Sequence, residues 1–471
     1  MSGVSRARRF AVRSLAPVFL AGAVLIGGAS LEGEQVQAIG FAVSAFLLAG
    51  LFLFSGAAPR SLSNWAVLAF CAALAALCAA QIARLPVGIV QAWPDRDVAL
   101  AGLAVLGRPA PAALALSFAP EATVGAFLAF LMPVAGFFLI ALIKWSRGAA
   151  LLGWAIPLIG AASALLGLAQ VFLGNEPRLY LYKFTSEGLP AGFFSNVNHQ
   201  ASFLLMCLPF VAAQAGDLRR SWEGGDNQVA LAIVWLACFL LLVTGILGAG
   251  SVAGYILLAP VSVLSAFLLG SGRRGAGSRW MGAGLAAAII VFAGAFVFSS
   301  PVLEGLGVTS LEESELSRVG IARTSAEILR NHWKFGTGLG TFEQVYHLYE
   351  NPKTVTSTYV AHAHNDYLEW LIETGIAGTI LLAVFIVWWL VQFVRVWINN
   401  KRGGAGLRRA ASIACLVIVL HSFVDYPLRT PAIATLGAMC LALMVVARER
   451  KDGPAGTTPA AAAAPLKTVT L

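Results

Sequence analysis

Apolar stretches of 15 to 25 residues recur along this chain, and at a helical rise of 1.5 Å per residue most are long enough to cross roughly 30 Å of hydrocarbon. Twelve of them run over 15–31, 36–54, 65–83, 122–143, 149–173, 199–216, 229–248, 252–269, 280–300, 375–397, 410–424 and 432–447. The bilayer, not water, is then the main solvent. Composition agrees, because 58% of residues are hydrophobic and 12% charged, where soluble domains carry about a quarter charged residues. The expected fold is an all-α polytopic membrane protein with about 12 transmembrane helices.

Arg6, Arg8, Arg9 and Arg13 precede the first apolar run, as in a signal peptide. No small-residue cleavage site closes that run and further spans follow at once, so a retained first helix is expected. Lys and Arg resist translocation and mark cytoplasmic loops. With the N-terminus inside and the spans alternating, the inside holds 21 of the 32 basic residues and 5 of the 23 acids. The layout therefore predicts an even number of spans, with both termini cytoplasmic. It also accounts for the net charge of +9 through topology and attraction to anionic lipid heads, with no nucleic acid invoked.

Residues 1–14 read as a basic cytoplasmic N-terminus, 15–300 as nine spans with outer loops 84–121 and 174–198, and 301–374 as one long outer loop. Three more spans occupy 375–447, and 448–471 reads as a disordered tail with the run Ala460 to Ala464. Cys71, Cys78, Cys207, Cys238, Cys415 and Cys440 all fall inside predicted spans, so neither a disulfide nor a zinc site is expected. No G-x-x-x-x-G-K-[ST] loop is present, which argues against ATP-driven transport by this chain alone.

The long outer loop concentrates polar residues. After the acidic patch Glu312, Glu313 and Glu315 it reads Ser317-Arg318-Val319-Gly320-Ile321-Ala322-Arg323, with a helix expected over 318–331. Phe335-Gly336-Thr337-Gly338-Leu339-Gly340-Thr341-Phe342 follows, a Gly-rich turn that either lets backbone approach a ligand or makes a tight connection between helices. The loop ends in Ala361-His362-Ala363-His364-Asn365-Asp366 and runs into the tenth span. Helical periodicity sets His364, Leu368, Leu371 and Gly375 on one face. A histidine at the mouth of a span is placed either to exchange protons or only to cap the helix. His362, His364 and Asp366 are spaced for an extended strand rather than one helix face, which disfavours a metal site. In the first outer loop Asp95-Arg96-Asp97 forms a D-x-D, read as a solvated turn in which Arg96 neutralises both acids.

The chain resembles the O-antigen ligases and the related O-antigen and exopolysaccharide polymerases of the bacterial envelope. Their signature, a His, an amide or Ser, nine residues, Gly, two residues and a further Gly, is matched by His364, Asn365, Gly375 and Gly378. Arg318 followed by Gly336, Gly338 and Gly340 is similar to the family's Arg and G-x-G-x-x-x-F stretch. Gly192 to His199 is similar to its G-x-F-x-N-x-N element, and His421 to Leu428 to its late outer segment. In one place the chain departs: many members carry Ser-Arg-Gly where this sequence reads Ser251-Val252-Ala253, so a basic group thought to hold lipid diphosphate is missing; either another cation such as Arg323 or Arg429 takes over, or donor binding differs, or the enzyme is impaired.

The resemblance implies a glycosyltransferase of the bacterial inner (cytoplasmic) membrane, with a periplasmic active face in the loop between spans nine and ten. It implies transfer of glycan from an undecaprenyl-diphosphate-linked donor to a glycan or lipid A core acceptor, with membrane lipids as surroundings and no cofactor or metal. His364 is the expected base, and Arg318 and then Arg323 the expected diphosphate ligands. Asn365, Asn196, Asn198 and Asp425 are expected to meet sugar hydroxyls or orient the histidine, or else to cap helix ends. Gly338, Gly340, Gly375 and Gly378 are the motif glycines. A polymerase, a ligase and a protein O-oligosaccharyltransferase share all of this and differ in acceptor. A flippase without catalysis is a reading of a different class, which predicts inverted repeats and polar residues at mid-membrane.

Overall fold

The computed structural model describes residues 2–30, 34–54, 62–142, 145–270, 308–350, 360–398 and 405–445. The chain is mostly helical, and among the described residues seven helical stretches are long and apolar enough to cross a membrane. In chain order the elements are α1 (Ser2–Ile26), α2 (Glu34–Phe54), α3 (Leu62–Ile82), β1 (Arg84–Pro86), α4 (Val87–Val90), α5 (Arg96–Val105), β2 (Ala113–Ala115), α6 (Pro120–Ala129), α7 (Leu131–Leu142), α8 (Trp145–Phe172), α9 (Val197–Arg220), α10 (Asp226–Gly248), α11 (Val252–Gly270), α12 (Val308–His332), α13 (Phe342–Tyr349), α14 (Asp366–Ile398), α15 (Ala405–His421) and α16 (Pro431–Val445). Eleven of the expected spans fall on helices. The ninth, 280–300, the basic residues Arg273, Arg274 and Arg279, and the tail 448–471 lie outside the described residues.

α9 is the central post. It packs against α8, α10, α11, α15 and α16, and Phe203, Leu204, Leu205, Met206 and Phe210 along it are fully buried. Close helix approach in a bilayer rests on small residues. A Cβ on Gly160 of α8 would lie 2.7 Å from Cys207 Sγ, and one on Gly245 of α10 would lie 2.7 Å from Leu204 Cδ1. The six cysteines are free, five of them buried.

At one end of this bundle α12, α13 and the start of α14 make a second, smaller core of Ile321, Ile328, Phe342, Val345, Tyr346, Ala363 and Ile372. The segment between α3 and α6 is not an irregular loop. Its β1 and β2 pair antiparallel, Leu85 opposite Leu114, and carry α4 and α5 between them.

The join between the two cores is a break in α14. Gly375 takes φ 60°, ψ −152° inside that helix, a left-handed backbone favoured by glycine. The Gly-rich turn packs directly on the break: Thr337 N donates to Ile372 O at 3.0 Å, Gly338 N to Glu373 O at 2.9 Å, and Ile376 N to Lys334 O at 3.3 Å. Gln81 at the end of α3 ties both sides, donating to Glu373 O at 2.8 Å and accepting from Leu339 N at 3.0 Å. Cβ atoms would meet Glu373 O at 2.3 Å from Gly336, Ser117 Oγ at 2.3 Å from Gly338 and Ala126 Cβ at 2.7 Å from Gly340. Of the two readings of this turn, the geometry is therefore backbone meeting backbone.

Candidate active site

The site forms where the ends of α9, α14, α15 and α16 meet. α14 starts at Asp366 because Asn365 caps it, accepting from Leu368 N at 3.0 Å through Oδ1, while its Nδ2 donates to Phe423 O at 3.0 Å. α9 starts the same way, with Asn196 Oδ1 accepting from Asn198 N at 2.8 Å. Capping is thus what these two asparagines do in the fold. Asn198 follows in the first turn of α9, half-buried, its carbonyl accepting from Ser202 Oγ at 3.1 Å.

His364 precedes the helix instead of sharing its face with Leu368, Leu371 and Gly375. Its φ is 50°, because the chain must turn left-handed there to bring Asn365 into capping position. That conformation is costly for a residue with a Cβ and is held by its surroundings. The turn sends the imidazole over Asp425: Nδ1 lies 3.5 Å from Oδ1, with the His364 side chain 30% exposed and the Asp425 side chain 1% exposed. Its ring meets that of Tyr426 edge-on at 5.1 Å.

Three more histidines surround the same acid and tyrosine, none singled out from the sequence as a site residue. His362 stacks on Tyr426 at 4.2 Å and its Nδ1 is 2.9 Å from Glu369 Oε1. His199 meets the Tyr426 ring at 4.9 Å and its Nδ1 contacts Thr430 Oγ1 at 2.8 Å. His421 contacts Ser202 through Nδ1, and its Nε2 lies 4.0 Å from Asp425 Oδ2. The i, i+4 spacing of His421 and Asp425 was a legible signal. The approach of His199 is tertiary and leaves no local trace.

Burial alone would raise the Asp425 carboxyl, but His364, 3.5 Å away, and the nearby His199 and His421 outweigh it and hold the acid below the usual carboxylate range. Burial and then Asp425 itself push the Tyr426 phenol well above its ordinary value. Asp425 is therefore an anion, and Tyr426 a neutral ring, beside His364.

Behind them, Arg429 serves three acids of one α14 face. Its Nη2 is 2.7 Å from Glu373 Oε2, and its Nε is 3.3 Å from Glu369 Oε1 and 4.0 Å from Asp366 Oδ1. Burial disfavours the charge, but Glu369, Glu373 and Asp366 outweigh it and raise the guanidinium above its ordinary value. Asp366 Oδ2 also accepts from Ser422 Oγ at 2.8 Å and Leu428 N at 3.1 Å. Arg429 is thus committed to structure, and the sequence option of Arg429 as a diphosphate ligand is set aside.

Arg318 stands exposed on α12, on the stripe that also carries the buried Ile321, Ser325 and Ile328. Arg323 is exposed on the same helix but five residues on, about 140° around the axis. Arg318, not Arg323, therefore shares the side of α12 that packs inward. Val252 sits in the first turn of α11, where Ser251 Oγ accepts from Gly254 N at 3.1 Å. Gly375 and Gly378 lie on α14, at and just past its break.

Asp95-Arg96-Asp97 is not a solvated turn. Asp95 contacts His332 Nε2 at 2.9 Å and accepts from the Tyr349 hydroxyl, while Arg96 turns inward over the Phe118 ring at 3.7 Å and bonds Leu116 O. Burial lowers the Arg96 pKa to about 10 against the pull of Asp95. A cavity of about 350 Å³ between α9, α10 and α11, lined by Leu208, Trp235 and Phe239, lies toward Arg219, at the end of α9 away from the site.

A partly exposed imidazole oriented by a buried carboxylate is the arrangement of a general base. No curated protein matches this chain. A family model described as O-antigen ligase matches residues 237–383, from within α10 into α14, and so takes in Arg318, the Gly-rich turn and the His364 motif. Over that stretch, and in the motif within it, the chain is similar to the O-antigen ligase family.

Proposed function

We propose that this protein transfers a glycan from a polyprenyl diphosphate to an acceptor hydroxyl on the periplasmic face of the bacterial inner membrane, with both termini cytoplasmic. The carrying observation is the His364 imidazole, exposed on one side and 3.5 Å from buried Asp425 on the other. Nδ1–H points at the acid, which leaves Nε2 to take the proton of the acceptor hydroxyl. The acceptor oxygen bonds the anomeric carbon as the bond from that carbon to the diphosphate breaks, and polyprenyl diphosphate leaves. A positioned base contributes about 10² to 10⁴ in rate. Arg318 meets the charge that builds on the leaving group. No step calls for a metal.

Acceptor identity divides the forms of this reaction, and two of them use glycolipid acceptors. Purified protein given an undecaprenyl-diphosphate oligosaccharide, with either a second lipid-linked unit or a lipid A core as acceptor, separates them. Lengthened lipid-linked chains, lost in Arg318→Ala, mark a polymerase, and product on lipid A core marks a ligase. Transfer to neither acceptor by folded wild-type protein overturns the proposal.

A further inference from the structure

Beyond Asp97 in its first turn, the exposed face of α5 carries no group that suits water. Val105 and Leu106 are 88% and 72% exposed, Val98 is 51% exposed, and Ile89 on α4 is 53% exposed. The inward side of α5 carries Arg96, Leu100 and Leu103, and the outward stripe carries Val98, Ala101, Gly102 and Val105. An apolar helix face left without protein against it belongs in lipid. Ten residues rise about 15 Å, too little to span a bilayer.

Its position is fixed by its neighbours. β1 starts two residues after α3 ends and β2 leads into α6, both membrane-crossing candidates, so α5 is held at the level where those spans end. The Trp93 ring before it stacks on Phe335 at 4.9 Å. Trp333 and Phe335 are half exposed and lie beside Gly375, since Lys334 O accepts from Ile376 N. Aromatic rings and cations gather at the edge of the hydrocarbon. Arg84, Arg108 and Lys334, all exposed, stand around the patch and match anionic headgroups.

We propose that α4 and α5, with Trp93, Trp333 and Phe335, form an in-plane platform seated in the lipid surface, its apolar face among the upper acyl chains and its cations at the phosphates. Asp95, at the N-terminus of α5, carries this platform rigidly to α12 and α13 through His332 and Tyr349.

Nitroxide labels on Val105→Cys and Leu106→Cys test it, with the full chain in vesicles of phosphatidylethanolamine and phosphatidylglycerol and Cys71, the one cysteine not buried, changed to Ser. Ala101→Cys repeats the measurement where little packing can be lost, and Asp97→Cys serves as a water-facing control. Collisions with oxygen should exceed those with a nickel chelate at 101, 105 and 106, at depths of about 5–10 Å, and the reverse should hold at 97. Nickel-dominated collisions at all three positions would overturn the platform. Spin broadening that vanishes on dilution with unlabelled protein would also overturn it, by showing a second copy on that face.

Discussion

Nδ1 of His364 lies 3.5 Å from Oδ1 of Asp425, across the gap between α14 and the turn that follows α15. The acid is buried and anionic, the imidazole partly open, and the pair is held by a left-handed turn at His364 and by the Tyr426 N–H on Asp425 Oδ1 at 2.9 Å. Asp425 thereby fixes which ring nitrogen faces substrate. Asp425→Asn should keep the fold and lower transfer on the order of 10² or more, as loss of a triad carboxylate does. The loss should appear in kcat with little change in KM for the donor, and an unchanged kcat would remove Asp425 from this role.

Arg429 holds Asp366, Glu369 and Glu373 together. Arg429→Met leaves buried carboxylates without their cation and should cost about 3–5 kcal/mol. Arg429→Lys keeps the charge but not the planar fork, so it should fall between Met and wild type. Thermal unfolding in detergent reads this directly.

Gly375 needs its left-handed backbone, and a Cβ there would lie 2.6 Å from Gly336 N and 2.8 Å from Lys334 O. Gly375→Ala should therefore destabilise by about 1–3 kcal/mol and loosen the join of the outer core to the bundle. Limited proteolysis within α12 and α13 should be faster in this variant. Gly320, where nothing stands within reach of an added Cβ, should accept Ala without that effect.

His332 is buried against Asp95, Tyr349 and Phe118, and burial lowers its pKa despite the pull of Asp95. Above about pH 6.5, the ordinary value, folded and unfolded forms are both neutral and nothing is lost. Below it the unfolded chain takes a proton that the folded one resists, so stability falls as pH drops through that range. Melting temperature should decline from pH 7 to 5, and His332→Gln should flatten the decline.

Hydropathy located the helices because the bilayer imposes length and composition on each one separately, with no partner needed. The same independence explains what went unread. Asn365 and Asn196 carry amides suited to both capping and sugar binding, and only the structure shows that both cap helices, through Leu368 N and Asn198 N. The three acids on one α14 face are visible at i, i+3 and i+7, but their cation comes from Arg429, 56 residues beyond Glu373. Arg318 and Arg323 look equivalent in the sequence, whereas the buried stripe of α12 separates them. The segment 84–121 read as a loop because α5 is too short to span, and its apolar surface became meaningful only once β1 and β2 placed it at the ends of α3 and α6.

The most direct test of the account is the rate of glycan transfer from an undecaprenyl-diphosphate oligosaccharide by purified His364→Ala, set against wild type of equal melting temperature. The account predicts a loss of about 10² to 10⁴ that narrows as pH rises and the acceptor hydroxyl ionises more readily. Transfer by His364→Ala at the wild-type rate would contradict it and leave the His364 and Asp425 pair a structural contact.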